Sequence, residues 1–126
     1  VFASLILCTR ASSIAQKAAA MCTVKSADTP LSLLVLSFFC GILMFIAADG
    51  FKTIENPVGK VLAIFLPVMA FILSGFEHSI ADMFYFSVSR TWTAHSFLCL
   101  IIMTLGNAFG GMLVPLVKKG FLQNTN

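Results

Sequence analysis

Between Asp28 and Asp49 the chain carries no charged residue. As a helix rising ~1.5 Å per residue, the run Thr29 to Ala48 is long enough to cross a bilayer core of ~30 Å. A soluble domain could hide such a run only behind a polar exterior. The composition does not supply one: 59% of the 126 residues are hydrophobic and 10% are charged, against roughly 25% charged in ordinary soluble domains. Mean hydropathy is +0.98. The apolar surface therefore faces lipid, and the chain is predicted to be an all-α integral membrane protein. Pro30 suits the first turn of this span, where its missing N–H costs nothing. Before it, Ala11 to Thr23 is Ala-rich and reads as a helix at or entering the membrane surface.

The basic residues Arg10, Lys17, Lys25, Lys52, Lys60, Arg90, Lys118 and Lys119 lie between or beside apolar runs, as loop charges of a polytopic protein do. They do not cluster on one face with exposed aromatics, which argues against a nucleic-acid partner. Cys8, Cys22, Cys40 and Cys99 show no CxxC or zinc-like spacing, and three of them sit in apolar surroundings where cysteine packs as a small hydrophobe. No metal, cofactor or catalytic residue is expected, and the chain is not read as an enzyme. The apolar stretch Val1 to Cys8 is followed, not preceded, by Arg10, the reverse of a signal peptide. It reads as the tail of an earlier membrane helix. Residues 1–126 are thus expected to form a single transmembrane domain, truncated at its N-terminus.

Asp49 to Lys60 is predicted to be a polar loop, with Gly50, Asn56-Pro57 and Gly59 as breakers. The stretch that follows, Val61 to Ser89, is too long for one straight span and has Glu77, His78 and Asp82 in its middle. An ionisable residue at mid-helix costs ~3 kcal/mol on insertion scales, while each strong hydrophobe returns ~0.5 kcal/mol. Two carboxylates therefore offset roughly all that the Leu, Ile, Val and Phe residues of the stretch contribute. Such groups must face protein or a water-filled cavity. Ser74-Gly75 just before them is a natural point of unwinding, so two half-helices are predicted, Val61 to Leu73 and Ser79 to Ser89. Irregular backbone at that depth survives only buried in protein or lining a cavity.

The last span is placed at Trp92 to Val117, closed by Lys118 and Lys119, with Trp92 as an interfacial anchor and Gly120 to Asn126 as a frayed tail. Gly106 and Gly110 stand at GxxxG spacing, which allows helix backbones to approach closely. Orientation is not legible from charge: Lys52, Lys60, Lys118 and Lys119 on one side balance Arg10, Lys17, Lys25 and Arg90 on the other.

The segment Gly75-Phe76-Glu77-His78-Ser79-Ile80-Ala81-Asp82-Met83-Phe84 resembles the signature G-F-E-H-S-I-A-N-M-F of the formate/nitrite transporter family. Pro67-Val68-Met69-Ala70-Phe71 upstream is also similar, as is Thr104-Leu105-Gly106-Asn107 with Gly110-Gly111 in the last span. The likeness covers roughly Ser37 to Val117, in order. It implies an aquaporin-like bundle of six helices per subunit, the second and fifth interrupted. It also implies a homopentamer with one pore in each subunit and both termini cytoplasmic. The three spans here would be the fourth to sixth, preceded by the end of an earlier helix. Family substrates are formate, nitrite, hydrosulfide and, in some members, lactate or acetate. The partners implied are therefore a small monovalent anion and the lipid bilayer, in the cytoplasmic membrane of a bacterium.

By the same resemblance His78 corresponds to the family's central pore histidine. The physics is compatible: a half-helix starting near Ser79 points its positive end at the membrane centre, and imidazole can donate a hydrogen bond or a proton to a weak acid. Protonation removes most of the desolvation cost of an anion in a dry constriction. Glu77 is expected to accept backbone N–H groups freed at the break, with Gly75 and Ser79 as its structural companions. Asn107 matches the family's last-helix Asn, beside the pore or as packing glue. Asp82 departs from the family's Asn; one turn after His78 on the same face, it is expected to pair with that imidazole or to be neutral. His95 is read as interfacial. Two other functions compete: a redox membrane anchor with His78 and His95 ligating haem, and a metal-ion transporter using Glu77, His78 and Asp82.

Overall fold

The computed structural model describes residues 12–123. Its helices are α1 (Ser12–Ala27), α2 (Pro30–Thr53), α3 (Pro57–Leu73), α4 (Ser79–Ser89) and α5 (Ala94–Gln123). The apolar stretch Val1 to Cys8 lies outside the described residues, as does the end of the C-terminal tail. No strand occurs among the described residues.

Short polar residues set the helix ends. Asp28 Oδ1 accepts the Thr29 N–H at 2.8 Å, and Thr29 Oγ1 accepts the Ser32 N–H at 3.2 Å, so that α2 starts capped, with Pro30 in its first turn. The loop expected from Asp49 to Lys60 shrinks to residues 54–56. Asn56-Pro57 acts as a start signal and not a breaker: Asn56 Oδ1 accepts the N–H groups of Val58 at 2.9 Å and Gly59 at 3.1 Å. Gly50 stays helical because α2 and α3 meet there; a Cβ would lie 2.9 Å from that of Ala63. The last helix begins two residues after Trp92 and persists to Gln123, past the lysines expected to close it. At its start Ser96 Oγ accepts the Thr93 N–H while Thr93 Oγ1 accepts the Ser96 N–H, a reciprocal cap.

The tightest packing joins α2 to α5. A Cβ on Gly106 would fall 1.9 Å from Ser37 Oγ, one on Gly41 2.2 Å from the Asn107 carbonyl oxygen, and one on Gly110 1.9 Å from the Phe38 carbonyl oxygen. Further along, Lys118 Nζ reaches Asp49 Oδ2 at 3.1 Å. Residue numbers rise together along this seam, so the two helices run parallel. The Gly106/Gly110 face is thus occupied within the chain and does not itself argue for contacts between subunits.

Because α2 and α5 run the same way, the chain between them must come back. Among the described residues, only α2 and α5 are individually long and apolar enough to cross a membrane. The return is divided between α3, about 25 Å long, and α4, about 16 Å. Helix α1 packs against α4, and Cys22, Leu33, Phe86, Cys99, Leu100 and Met103 form a buried cluster between α1, α2, α4 and α5. Elsewhere large apolar side chains stay exposed, among them Leu31, Leu73 and Ile80 at 69%, 78% and 70%, as in a protein whose surrounding solvent is lipid.

Candidate functional site

The site is built at the break between α3 and α4. Helix α3 ends in a Schellman motif. Gly75 takes the left-handed conformation (φ 66°), its N–H reaching the Ile72 carbonyl at 3.3 Å and the Phe76 N–H reaching the Phe71 carbonyl at 3.0 Å. An L side chain in that conformation costs ~1–2 kcal/mol, which is why glycine suits this position. Phe76, Glu77 and His78 then run without regular structure until Ser79 opens α4.

His78 occupies the N-cap position of α4, but its side chain caps nothing. Asn107 of α5 does that work from outside. Its Oδ1 accepts the Ser79 N–H at 3.0 Å and the Ser79 hydroxyl at 3.1 Å. Its Nδ2 donates to the carbonyls of Glu77 at 2.9 Å and Ser37 at 2.8 Å. One amide thus satisfies a donor and an acceptor exposed by the break and ties both to α2.

The role expected for Glu77, accepting freed N–H groups, is therefore filled by Asn107. The Glu77 carboxylate instead takes the ammonium of Lys25 from α1. Lys25 Nζ also lies 2.9 Å from Asp82 Oδ1, and the Lys25, Glu77 and Asp82 side chains are 11%, 7% and 1% exposed. Lys25 is no loop charge: burial next to two carboxylates makes an ammonium there favourable where lipid would not. This also alters the expected pairing of Asp82 with His78. Asp82 faces Lys25 through Oδ1, while Asp82 Oδ2 and His78 Nδ1 are buried without a hydrogen-bond partner among the described residues. The His78 ring packs edge-on against Phe71, with centroids 5.9 Å apart.

A cavity of about 400 Å³ lies against this cluster, its wall including Lys25, Gly75, Glu77, His78 and Asp82. Ser79 and Asn107 are not part of the wall; they hold the backbone behind it. His95 is not part of the wall; its Nε2 lies 3.0 Å from the Ser26 carbonyl oxygen and 3.6 Å from Cys99 Sγ. A metal path through Glu77 and Asp82 would need both carboxylates free to converge on a cation, and Lys25 already engages them.

Lys25 is the member of the site that the sequence reading missed. The available signal was an imbalance: two carboxylates and no cation within the stretch Val61 to Ser89. The unexpected partner had to come from another helix.

A family model described as formate/nitrite transporter matches residues 1–118. Over 62 residues the chain is 40% identical to a probable formate transporter of Methanothermobacter thermautotrophicus, covering 45% of this chain and 23% of that protein. Over 96 residues it is 30% identical to a formate-nitrite transporter of Plasmodium knowlesi, covering 71% of this chain and 31% of the relative. It is 34% identical over 85 residues to the transporter YrhG of Bacillus subtilis, covering 63% of this chain and 31% of that protein. Each match thus spans less than a third of the relative's length. No solved structure matches. With the signature at the helix break and the family model spanning nearly its whole length, the chain belongs to the formate/nitrite transporter family.

Proposed function

We propose that the protein is a channel-like transporter of small monovalent anions such as formate or nitrite, with His78 in the transport path. The observation that carries this reading is the position of His78. It stands at a break inside an otherwise apolar stretch, on the wall of a cavity and beside the N-terminus of α4. An anion there meets the positive end of a helix and a ring able to hydrogen-bond or protonate it. Asp82 belongs to the same wall, and Asn107 acts as the positioning residue that holds the break. The likeness of residues 1–118 to the family supports the anionic cargo.

The multi-pass arrangement, the homopentamer and the cytoplasmic C-terminus belong to the same proposal. Counting charges among the described residues supports that orientation: with Lys25 buried, Lys52, Lys60, Lys118 and Lys119 on the cytoplasmic side outnumber Lys17 and Arg90 on the other.

The test is flux of formate, nitrite, hydrosulfide, acetate and lactate into liposomes holding the full-length protein, across pH. Wild type should carry at least one of these anions without added metal. His78→Ala should abolish flux or flatten its pH dependence while the oligomer stays intact. Normal transport by the variant at every pH would remove His78 from the mechanism.

A further inference from the structure

One ammonium stands between two carboxylates in the wall of the cavity. Lys25 Nζ contacts both Glu77 Oε2 and Asp82 Oδ1. With all three ionised the cluster carries one net negative charge at a place where Asp82 is 1% and Glu77 6% exposed. Leaving a buried charge uncompensated is costly, and a negative wall would repel an anion in the adjacent cavity. Asp82 Oδ1 faces the lysine, whereas Asp82 Oδ2 is buried with no partner among the described residues. The surrounding titratable groups are Lys25 of α1, Glu77 and His78 of the break, Cys40 of α2 and Tyr85 of α4; α5 contributes the uncharged Asn107.

We infer that the Lys25–Glu77–Asp82 cluster is a proton-binding site, distinct from His78, that holds one proton on the Glu77–Asp82 carboxyl pair and so keeps the cavity wall neutral. A hydronium ion in the cavity gives up the proton: one of its O–H bonds breaks, leaving water, as an O–H bond forms on one of the two carboxylates to give a carboxylic acid. Two carboxyl groups then share one ammonium with zero net charge. Because the neutral state repels an anion less than the ionised one, anion and proton occupancy reinforce each other, whatever His78 does. The proton count follows from having Asp at position 82: an Asn there would leave Glu77 and Lys25 balanced one to one.

The consequence for transport rests on the function proposed above, but the site itself can be tested without transport. Infrared spectra of the full-length protein in lipid should show a protonated carboxylic C=O band at neutral pH, shifting in D2O. Asp82→Asn should abolish it, as should Glu77→Gln, since the remaining carboxylate then pairs with Lys25 alone. Glu55→Gln, at an exposed position in the 54–56 loop, should leave it unchanged. Absence of the band from the wild type, or its survival in either cluster variant, overturns the inference. If one cluster variant does not fold, the other decides the matter, since either should remove the band. A band that behaves as expected in protein that carries no anion would instead remove the transport reading and leave the proton site standing.

Discussion

Asn107→Ala removes four hydrogen bonds from the helix break at once, two accepted by Oδ1 and two donated by Nδ2. Their loss is not equally serious. The Ser37 carbonyl lies inside α2 and keeps its helical partner, and the Ser79 hydroxyl can rotate. The Ser79 N–H and the Glu77 carbonyl have no such substitute, since one opens α4 and the other lies in the irregular segment. Stranding a buried donor or acceptor costs ~1–3 kcal/mol. Interhelical hydrogen bonds in membranes average ~0.6 kcal/mol each, which puts the set of four near 2 kcal/mol. Two stranded groups cost about 2–6 kcal/mol by the first route and the four bonds about 2 kcal/mol by the second, so the expected destabilisation is about 2–4 kcal/mol. Asn107→Asp should be at least as damaging: it keeps the acceptor for Ser79 but loses both donors and adds a carboxylate near Glu77 and Asp82. The assay is reversible unfolding of the purified full-length protein in mixed micelles, with anion flux measured in parallel. Flux should fall with stability, because Asn107 positions the backbone that carries His78. An Asn107→Ala variant within ~0.5 kcal/mol of wild type would refute the idea that this amide holds the break.

Lys25→Met should destabilise the protein by about 3–5 kcal/mol in the same unfolding assay, since removing one partner of a buried ion pair leaves the others uncompensated; a change no larger than that of an exposed lysine such as Lys52→Met would contradict the buried cluster. Gly110→Ala should be severely destabilising, because its Cβ would lie 1.9 Å from the Phe38 carbonyl oxygen, while Gly120→Ala, which meets nothing within 4 Å, should be neutral or slightly stabilising. Detergent melting curves compare the two directly, and equal effects would refute the close α2–α5 seam.

What the sequence determined by itself was local or compositional. Charge-free runs bounded by Asp and Lys specify apolar helices, because no other segment satisfies its own backbone in lipid. Ser74-Gly75 followed by Glu77, His78 and Asp82 specifies an interruption: glycine permits the left-handed turn, and the charged groups make a continuous lipid-facing helix expensive. The signature around His78 was sufficient to indicate the family. The polar stretch Asp49 to Lys60 misled, because Asn56-Pro57 can either stop a helix or start one, and only the path of the chain distinguishes them. Tertiary structure alone decided who satisfies whom at the break. Lys25 reaches Glu77 across 52 positions and Asn107 reaches Ser79 across 28, and no periodicity encodes a partner at that separation. The parallel run of α2 and α5 likewise decided that Gly106 and Gly110 face Ser37 and Phe38 within the chain. A small-residue stripe states that a helix can be approached closely, and only packing states by which one.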